Sequence, residues 1–317
     1  MSKPHILQLG PYPEWDQQPL DAAFRMHRYD DAPDKAAFLA QVGRGIRGIA
    51  ARGTHKVGHE IIDACPKLEI IVVYGVGYDG VDLQACKARG IQVTNTPDVL
   101  TGDVADLGVA MMLAQWRGVI AAERLLRDGK WVAGAAPLTR RVHGAKAGIL
   151  GLGRIGFEVA KRLTGFGMDI AYSDVSVKDY GAHWAFFAKP VDLARHADVL
   201  FVTLSATDQT RHIVGPEVLQ ALGPHGLLVN ISRAANIDEN ALLDALESHS
   251  IGGAALDVFE GEPHINPRFL TLDNALLQPH HASATHATRR AMGQLMRDNL
   301  TAHFSGQPLP TPVFRRA

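Results

Sequence analysis

Cysteine is almost missing from this chain. Cys65 and Cys86 are the two present among 317 residues, and their spacing matches neither a metal site nor a redox pair. A disulfide-built secreted domain is therefore not expected, and a reduced, cytoplasmic setting is. An excess of either charge is missing too: 32 Lys and Arg stand against 33 Asp and Glu, and the basic residues are scattered. That leaves no electrostatic footprint for nucleic acid or for an anionic membrane surface, so neither is expected as a partner. No stretch reaches the ~18 consecutive apolar residues that suggest a membrane span. The apolar run after Met1-Ser-Lys-Pro-His5 is too short for a signal-peptide core.

What the chain does have is apolar material, 46% of it, ample for two packed cores at this length. The first hundred residues alternate short apolar runs with helical patterns. Ile6–Leu9, Ile46–Ala51, Leu68–Tyr74 and Ile91–Thr94 read as strands, with helices expected near Pro33–Val42, Gly58–Ala64 and Leu83–Ala88. Such alternation implies a parallel sheet with helices on its faces. A basic residue followed by glycine, Arg89-Gly90, marks the end of the Leu83–Ala88 helix. One long helix is expected from about Thr101 to Arg127, after a break at Pro97. A second alternating series starts at Ala147. Its strands are Gly148–Leu150, Asp169–Ser173, Asp198–Leu204, Leu227–Ile231, Gly253–Val258 and Ala275–Leu277, the pattern of a doubly wound nucleotide-binding domain. A last helix is expected over Thr288–His303, then a Pro-rich tail at Gln307–Pro312.

Gly151-Leu152-Gly153-Arg154-Ile155-Gly156 is a GxGxxG motif. Alone it is weak, because three spaced glycines often make only a turn. Here it follows an apolar strand and opens an amphipathic stretch, Ile155–Leu163, and that context points to a dinucleotide. Glycines let the backbone approach the pyrophosphate, and N–H groups at the helix start face its negative charge. Asp174 ends the second strand of the series, eighteen positions after Gly156, where a carboxylate can accept from ribose hydroxyls. It would repel a 2′-phosphate by ~4 kcal/mol per unit charge at close range, favouring NAD over NADP, although Lys178 lies near enough in sequence to blunt that preference.

Three later segments bring different groups to strand ends, where open α/β sheets bind ligands. Arg233, in Asn230-Ile-Ser-Arg233, offers a planar fork for a carboxylate and a positive charge for a developing oxyanion. Asp257 sits at the next strand terminus, placed to accept from a nicotinamide carboxamide, and Glu262 follows just before Pro263. His280 and His281 follow the last strand. Reduction of a ketone by hydride needs a proton donor near neutral pH, which histidine suits. A neighbouring carboxylate favours the imidazolium and orients the ring. Each residue alone is more often structural; together, after a dinucleotide motif, they read as a catalytic set. His280 is the candidate and His281 its competitor, since the local register is not set by sequence.

These residues together resemble the D-isomer-specific 2-hydroxyacid dehydrogenase family over almost the whole chain. Gly148–Gly156 looks like its cofactor fingerprint, and Asn230–Asp238, Asp257–Pro263 and Pro279–Thr285 like its Arg, Glu and His motifs in order. Gly75–Asp82, Gly90–Pro97 and Arg127–Trp131 are similar too. Val93–Asp106 and Ala302–Val313 look most like glyoxylate/hydroxypyruvate and hydroxyphenylpyruvate reductases. The resemblance implies Arg233, Glu262 and His280 as catalytic residues, with the substrate carboxylate held by the backbone N–H groups of Val76 and Gly77 and by Arg233. It implies cofactor contacts at Leu152, Gly153, Arg154 and Ile155, at Asp174, at Ile231 with Arg233, and at Asp257; no metal is expected. It also implies two Rossmann-like doubly wound domains: a flavodoxin-like substrate domain, 1–98 plus 286–317, with an NAD(P)-binding domain, 99–285, inserted. A homodimer built through the nucleotide domain is expected. The chain departs from the family's habit at Ala234 and Ala282, where glycines are usual, and at Ser205, where proline is common. Asp174-Val175 stands in place of the Ser-Arg pair of NADPH-using relatives, which weighs against NADP.

The activity so implied is NAD(P)H-dependent reduction of a small 2-keto acid, of the glyoxylate or hydroxypyruvate type, to the D-2-hydroxy acid. Tyr74, Tyr78 and Trp131 are candidates to line a pocket for an aromatic substrate, and Arg52 to assist a second acidic group. Three alternatives stay open: hydroxyphenylpyruvate reductase, a formate- or phosphite-type dehydrogenase, and a non-enzymatic NAD(H)-sensing protein like the family's corepressor relatives.

Overall fold

Strands buried on both faces of a parallel sheet read as continuous apolar runs, and Ile70–Tyr74 is one, with all five residues buried. In the computed structural model, which describes residues 3–314, such runs build two α/β units. One is Met1–Leu100 with Ala284–Ala317, the other Thr101–Ser283.

The first unit runs β1 (His5–Gln8), α1 (Glu14–Ala23), β2 (Arg25–Arg28), α2 (Lys35–Val42), β3 (Gly48–Arg52), α3 (His59–Ala64), β4 (Ile70–Tyr74), α4 (Leu83–Ala88) and β5 (Gln92–Thr94). Its five strands are all parallel, in the order β2-β1-β3-β4-β5. This is the flavodoxin-like winding, which reverses direction between β1 and β3. Leu7, Ile49, Ile62, Ile71 and Val73 form the core with both cysteines. Burial pushes each thiol up to about 11, so neither is a ready nucleophile.

The second unit contains α5 (Thr101–Trp116), α6 (Val119–Arg127), β6 (Lys146–Leu150), α7 (Arg154–Thr164), β7 (Asp169–Ser173), β8 (Ala185–Phe186), α8 (Pro190–His196), β9 (Val199–Val202), α9 (Pro216–Leu222), β10 (Leu227–Asn230), α10 (Glu239–Glu247), β11 (Gly253–Leu256) and β12 (Ala275–Leu277). The seven parallel strands lie in the order β12-β11-β10-β9-β6-β7-β8. That is the dinucleotide-binding winding, with its switch point between β6 and β9. Helix α11 (His286–Phe304) returns to the first unit and buries Thr288, Met292, Met296 and Leu300, a four-residue spacing that makes one apolar stripe. The Pro-rich tail then pairs with the edge strand β5, Val313 N–H donating to the Val93 carbonyl at 2.8 Å.

The expected α/β architecture with two doubly wound parallel sheets is what the structure shows. The single helix expected over Thr101–Arg127 is not. It breaks between Trp116 and Val119 with a bend of 59°. Gly118 adopts a left-handed φ of +57° at the break, which ends one helix and redirects the chain into the next. Among the described residues no single helix is long and apolar enough to cross a membrane.

Candidate active site

The glycine motif forms the turn from β6 into α7. Gly151 has φ +97°, and a Cβ there would meet the Leu204 backbone nitrogen at 2.7 Å. A Cβ on Gly156 would lie 2.1 Å from the Gly151 carbonyl oxygen, so α7 can pack this close only with glycine. Gly153 differs: a Cβ there would meet nothing within 4 Å. The protein does not itself need the missing side chain at Gly153, and an approaching pyrophosphate would. Arg154 and Ile155 open the first turn of α7, where backbone N–H groups point outward. The loop thus fits a dinucleotide.

Asp174, just past the end of β7, reaches back to the loop. Its Oδ2 accepts the Leu152 N–H at 2.9 Å, and its Oδ1 accepts the Val175 N–H at 2.7 Å. Lys178 Nζ lies 3.0 Å from Oδ1. The carboxylate that would repel a 2′-phosphate is therefore paired with an ammonium, and the neutralised pair discriminates less than a lone charge. Ile231 turns its side chain into the protein, where a Cβ on Gly108 of α5 would touch it, so only its backbone is left to face a ligand.

The strands β10, β11 and β12 are neighbours, and the loops after them carry Arg233, then Asp257 and Glu262, then His280. Asn230 holds the first loop: its Oδ1 accepts the N–H and hydroxyl of Ser232, and its Nδ2 donates to the Arg233 carbonyl. Asn236 adds bonds to the Leu204 carbonyl and the Ser232 hydroxyl. Arg233 Nη1 donates to the Ser232 carbonyl at 2.9 Å. Neither asparagine was assigned a role from sequence; the available signal was a polar residue closing a strand that is otherwise wholly apolar.

Glu262 Oε2 lies 2.6 Å from His280 Nδ1, and Oε1 accepts the Phe259 N–H at 2.8 Å. Burial alone would push the Glu262 carboxyl up. The His280 ring, the Phe259 N–H and the Arg233 charge outweigh it and hold the carboxyl below the usual range. With Nδ1 given to a carboxylate, Nε2 is the ring atom left for a ligand. His280 has a left-handed φ of +50°, which costs a non-glycine residue about 1–3 kcal/mol. Asp257, 1% exposed, holds that turn: its oxygens accept the N–H groups of His281 and Ala282 at 2.9 and 3.0 Å. Burial pushes its own carboxyl up against those two bonds and the charges of the adjacent imidazoles. Of the two candidate histidines, His280 is the one brought to Glu262, while His281 joins the network through its backbone.

In the first unit, β4 leads into Gly75, whose N–H donates to the Val73 carbonyl and to Thr96 Oγ1. The next two N–H groups, of Val76 and Gly77, donate to nothing among the described residues. Successive N–H groups left unmet in this way are the kind of donors that backbone anion sites use. Tyr74 is buried and donates its hydroxyl to the Arg289 carbonyl, so it is wall rather than a free aromatic face. Trp131, by contrast, is exposed in the second unit.

A nucleotide-binding oxidoreductase with an Arg, a Glu–His pair and a glycine loop at its strand ends is the class these features define. The family model for the D-isomer specific 2-hydroxyacid dehydrogenase, NAD binding domain, matches residues 109–282. The chain belongs to that family. It is 42% identical over 308 residues to the hydroxyphenylpyruvate reductase of Plectranthus scutellarioides, covering 97% of this chain and 98% of that one. A 2-hydroxyacid dehydrogenase structure from Ketogulonicigenium vulgare Y25 superposes with a TM-score of 0.93 at 65% identity, over 100% of both chains. The NADPH-dependent glyoxylate/hydroxypyruvate reductase of Sinorhizobium meliloti, solved with NADP and malonate, also gives 0.93, at 42% identity over 100% of this chain and 99% of that one. The chain is accordingly an NAD(P)-dependent oxidoreductase.

Proposed function

We propose that this protein reduces small 2-keto acids, of the glyoxylate and hydroxypyruvate type, to D-2-hydroxy acids. The observation that carries the reading is the 2.6 Å Glu262–His280 contact beside Arg233, on three adjacent strand ends of a dinucleotide-binding sheet. Bound reduced nicotinamide supplies the hydride. Gly153 admits its pyrophosphate at the turn that Gly151 and Gly156 shape, with Leu152, Arg154 and Ile155 offering backbone contacts; Asp174, Ile231 and Asp257 complete its site. The Val76 and Gly77 N–H groups and the Arg233 fork hold the substrate carboxylate, and Arg233 also draws charge onto the carbonyl oxygen. His280, oriented by Glu262, delivers a proton from Nε2 to that oxygen. In this reading residues 1–98 with 286–317 serve substrate and 99–285 serve cofactor.

Two further features belong to the proposal. Val119, Ile120, Leu126, Trp131, Val132 and Leu138 are large apolar side chains exposed along one stretch of the second unit, a surface suited to a second copy of the chain. The proposal therefore includes a homodimer through that unit, and Trp131→Glu should convert it to monomer by light scattering. Two buried, unpaired cysteines suit a reducing cytoplasm. The reaction itself is tested by the loss of reduced-cofactor absorbance with glyoxylate and hydroxypyruvate. Activity confined to 4-hydroxyphenylpyruvate would instead favour the aromatic reductase.

A further inference from the structure

The first unit carries a cavity of about 250 Å³ lined by Pro13, Trp15, Arg52, Tyr74, His286 and Arg289, among others. Its place in the fold is informative. Pro13 follows β1, Arg52 ends β3 and Tyr74 ends β4, so it opens at the carboxyl ends of the strands flanking this sheet's winding reversal. Open α/β sheets take ligands at that point. Its chemistry is one-sided. No Asp or Glu lines it, whereas two guanidinium groups do. Arg52 is fixed by one bond, Nη2 to the Pro11 carbonyl at 2.6 Å, and its Nε is a buried donor with no partner. Arg289 is held over the Tyr74 ring, 5.8 Å from its centre, while the Tyr74 hydroxyl ties the Arg289 carbonyl to β4 at 2.8 Å. Neither guanidinium has a carboxylate partner among the described residues. Trp15 and His286 face each other with ring centres 6.0 Å apart and add flat apolar surface between the charges.

Glyoxylate does not need such a place, since nothing larger than hydrogen extends from its carbonyl carbon. Tyr74 in the cavity wall lies two residues before Val76, a reach of about 7 Å along the backbone. A longer 2-keto acid held by the Val76 and Gly77 N–H groups would enter the cavity with its far end. We propose that this cavity is the specificity subsite of the enzyme. Arg52 and Arg289 would receive a far end rich in oxygen acceptors, either a second carboxylate or a chain of hydroxyls. The inference rests on the 2-keto acid reading above and narrows it to substrates longer than glyoxylate.

The test compares kcat/KM for 2-ketoglutarate, 2-ketogluconate and 2-ketobutyrate, with glyoxylate as the acid that lacks a far end. Wild type, Arg52→Met and Arg289→Met are each assayed. The expected result is that each variant lowers the ratio of an oxygen-rich substrate to 2-ketobutyrate by about 10- to 100-fold, the loss of one charge-assisted hydrogen bond. The loss should fall mainly on KM. Whichever of the dicarboxylate and the polyhydroxy acid shows it identifies the acceptor. Ratios unchanged in both variants, or glyoxylate losing as much as the long acids, overturn the subsite. If wild type reduces none of the four, the reduction reading fails on its own, and binding decides the subsite. Glutarate or gluconate raising the Tm of wild type but not of the double variant keeps it. No shift with either rejects it.

Discussion

Glu262→Gln removes a charge while keeping the side chain's size, and its effect on turnover can be worked from the structure. The carboxylate makes two contacts, to His280 Nδ1 at 2.6 Å and to the Phe259 N–H at 2.8 Å. Glutamine can still accept the second; at the first it offers a neutral amide in place of a charge. Both side chains are partly exposed, 32% for His280 and 24% for Glu262, so the ~1.5–3 kcal/mol of a charge-assisted hydrogen bond measures what is lost. At about 1.4 kcal/mol per factor of ten, kcat/KM should fall by about 10- to 100-fold, with cofactor affinity unchanged. Initial rates of reduced-cofactor oxidation, with glyoxylate saturating and limiting, and a titration with NADH read both quantities. A kcat/KM within about threefold of wild type (~0.7 kcal/mol) would refute the reasoning, because the contact would then contribute nothing to the chemistry. Stability has a definite sign as well. The Glu262 carboxyl is held below its unfolded value, so its contribution is present above the ordinary glutamate range and lost as pH falls through the folded value. The Tm difference between wild type and variant should be largest near neutrality and vanish in acid.

Gly153→Ala and Gly156→Ala should separate ligand needs from folding needs. The first has open space for its Cβ, so the apo Tm should barely move while NADH affinity, read by fluorescence quenching, falls at least about tenfold (~1.4 kcal/mol). The second forces a 2.1 Å approach to the Gly151 carbonyl oxygen and should destabilise the fold by about 1–3 kcal/mol in denaturant titration. Lys178→Ala should unmask Asp174 and raise the NADH-to-NADPH ratio of kcat/KM; an unchanged ratio would mean that the pair does not face the ribose. Arg233→Lys keeps a charge but not the two-pronged geometry, and a glyoxylate KM that rises less than about threefold (~0.7 kcal/mol) would count against the carboxylate role.

Much of this was legible in the residues, for physical reasons. Parallel strands are buried on both faces, so Ile70–Tyr74 and Leu227–Asn230 stand out as apolar runs. The edge strand Arg25–Arg28 is half-exposed and polar, and nothing in its composition marks it. Helix α1 was hidden by Pro11, Pro13 and Pro19, the last of which lies inside it. Gly118 looks like any helix glycine until its left-handed backbone is seen. In the site, chemistry-bearing residues were readable because they follow strand ends in order, but pairings across loops were not. Glu262 chooses His280 over His281 only once the turn held by Asp257 sets the register. Lys178 neutralises Asp174 by a contact that spacing could only allow. Trp15, Arg52 and Arg289 lie far apart in sequence, and only folding gathers them at one sheet edge.

The central claim is that a proton from His280 completes the reduction of a 2-keto acid. Its most direct measurement is the oxidation of NADH and NADPH by wild type and His280→Ala with glyoxylate and hydroxypyruvate, alongside cofactor affinity. The account predicts turnover in wild type, a loss of about 10²- to 10⁴-fold in the variant, and unchanged cofactor binding. A His280→Ala protein that turns over like wild type would contradict it.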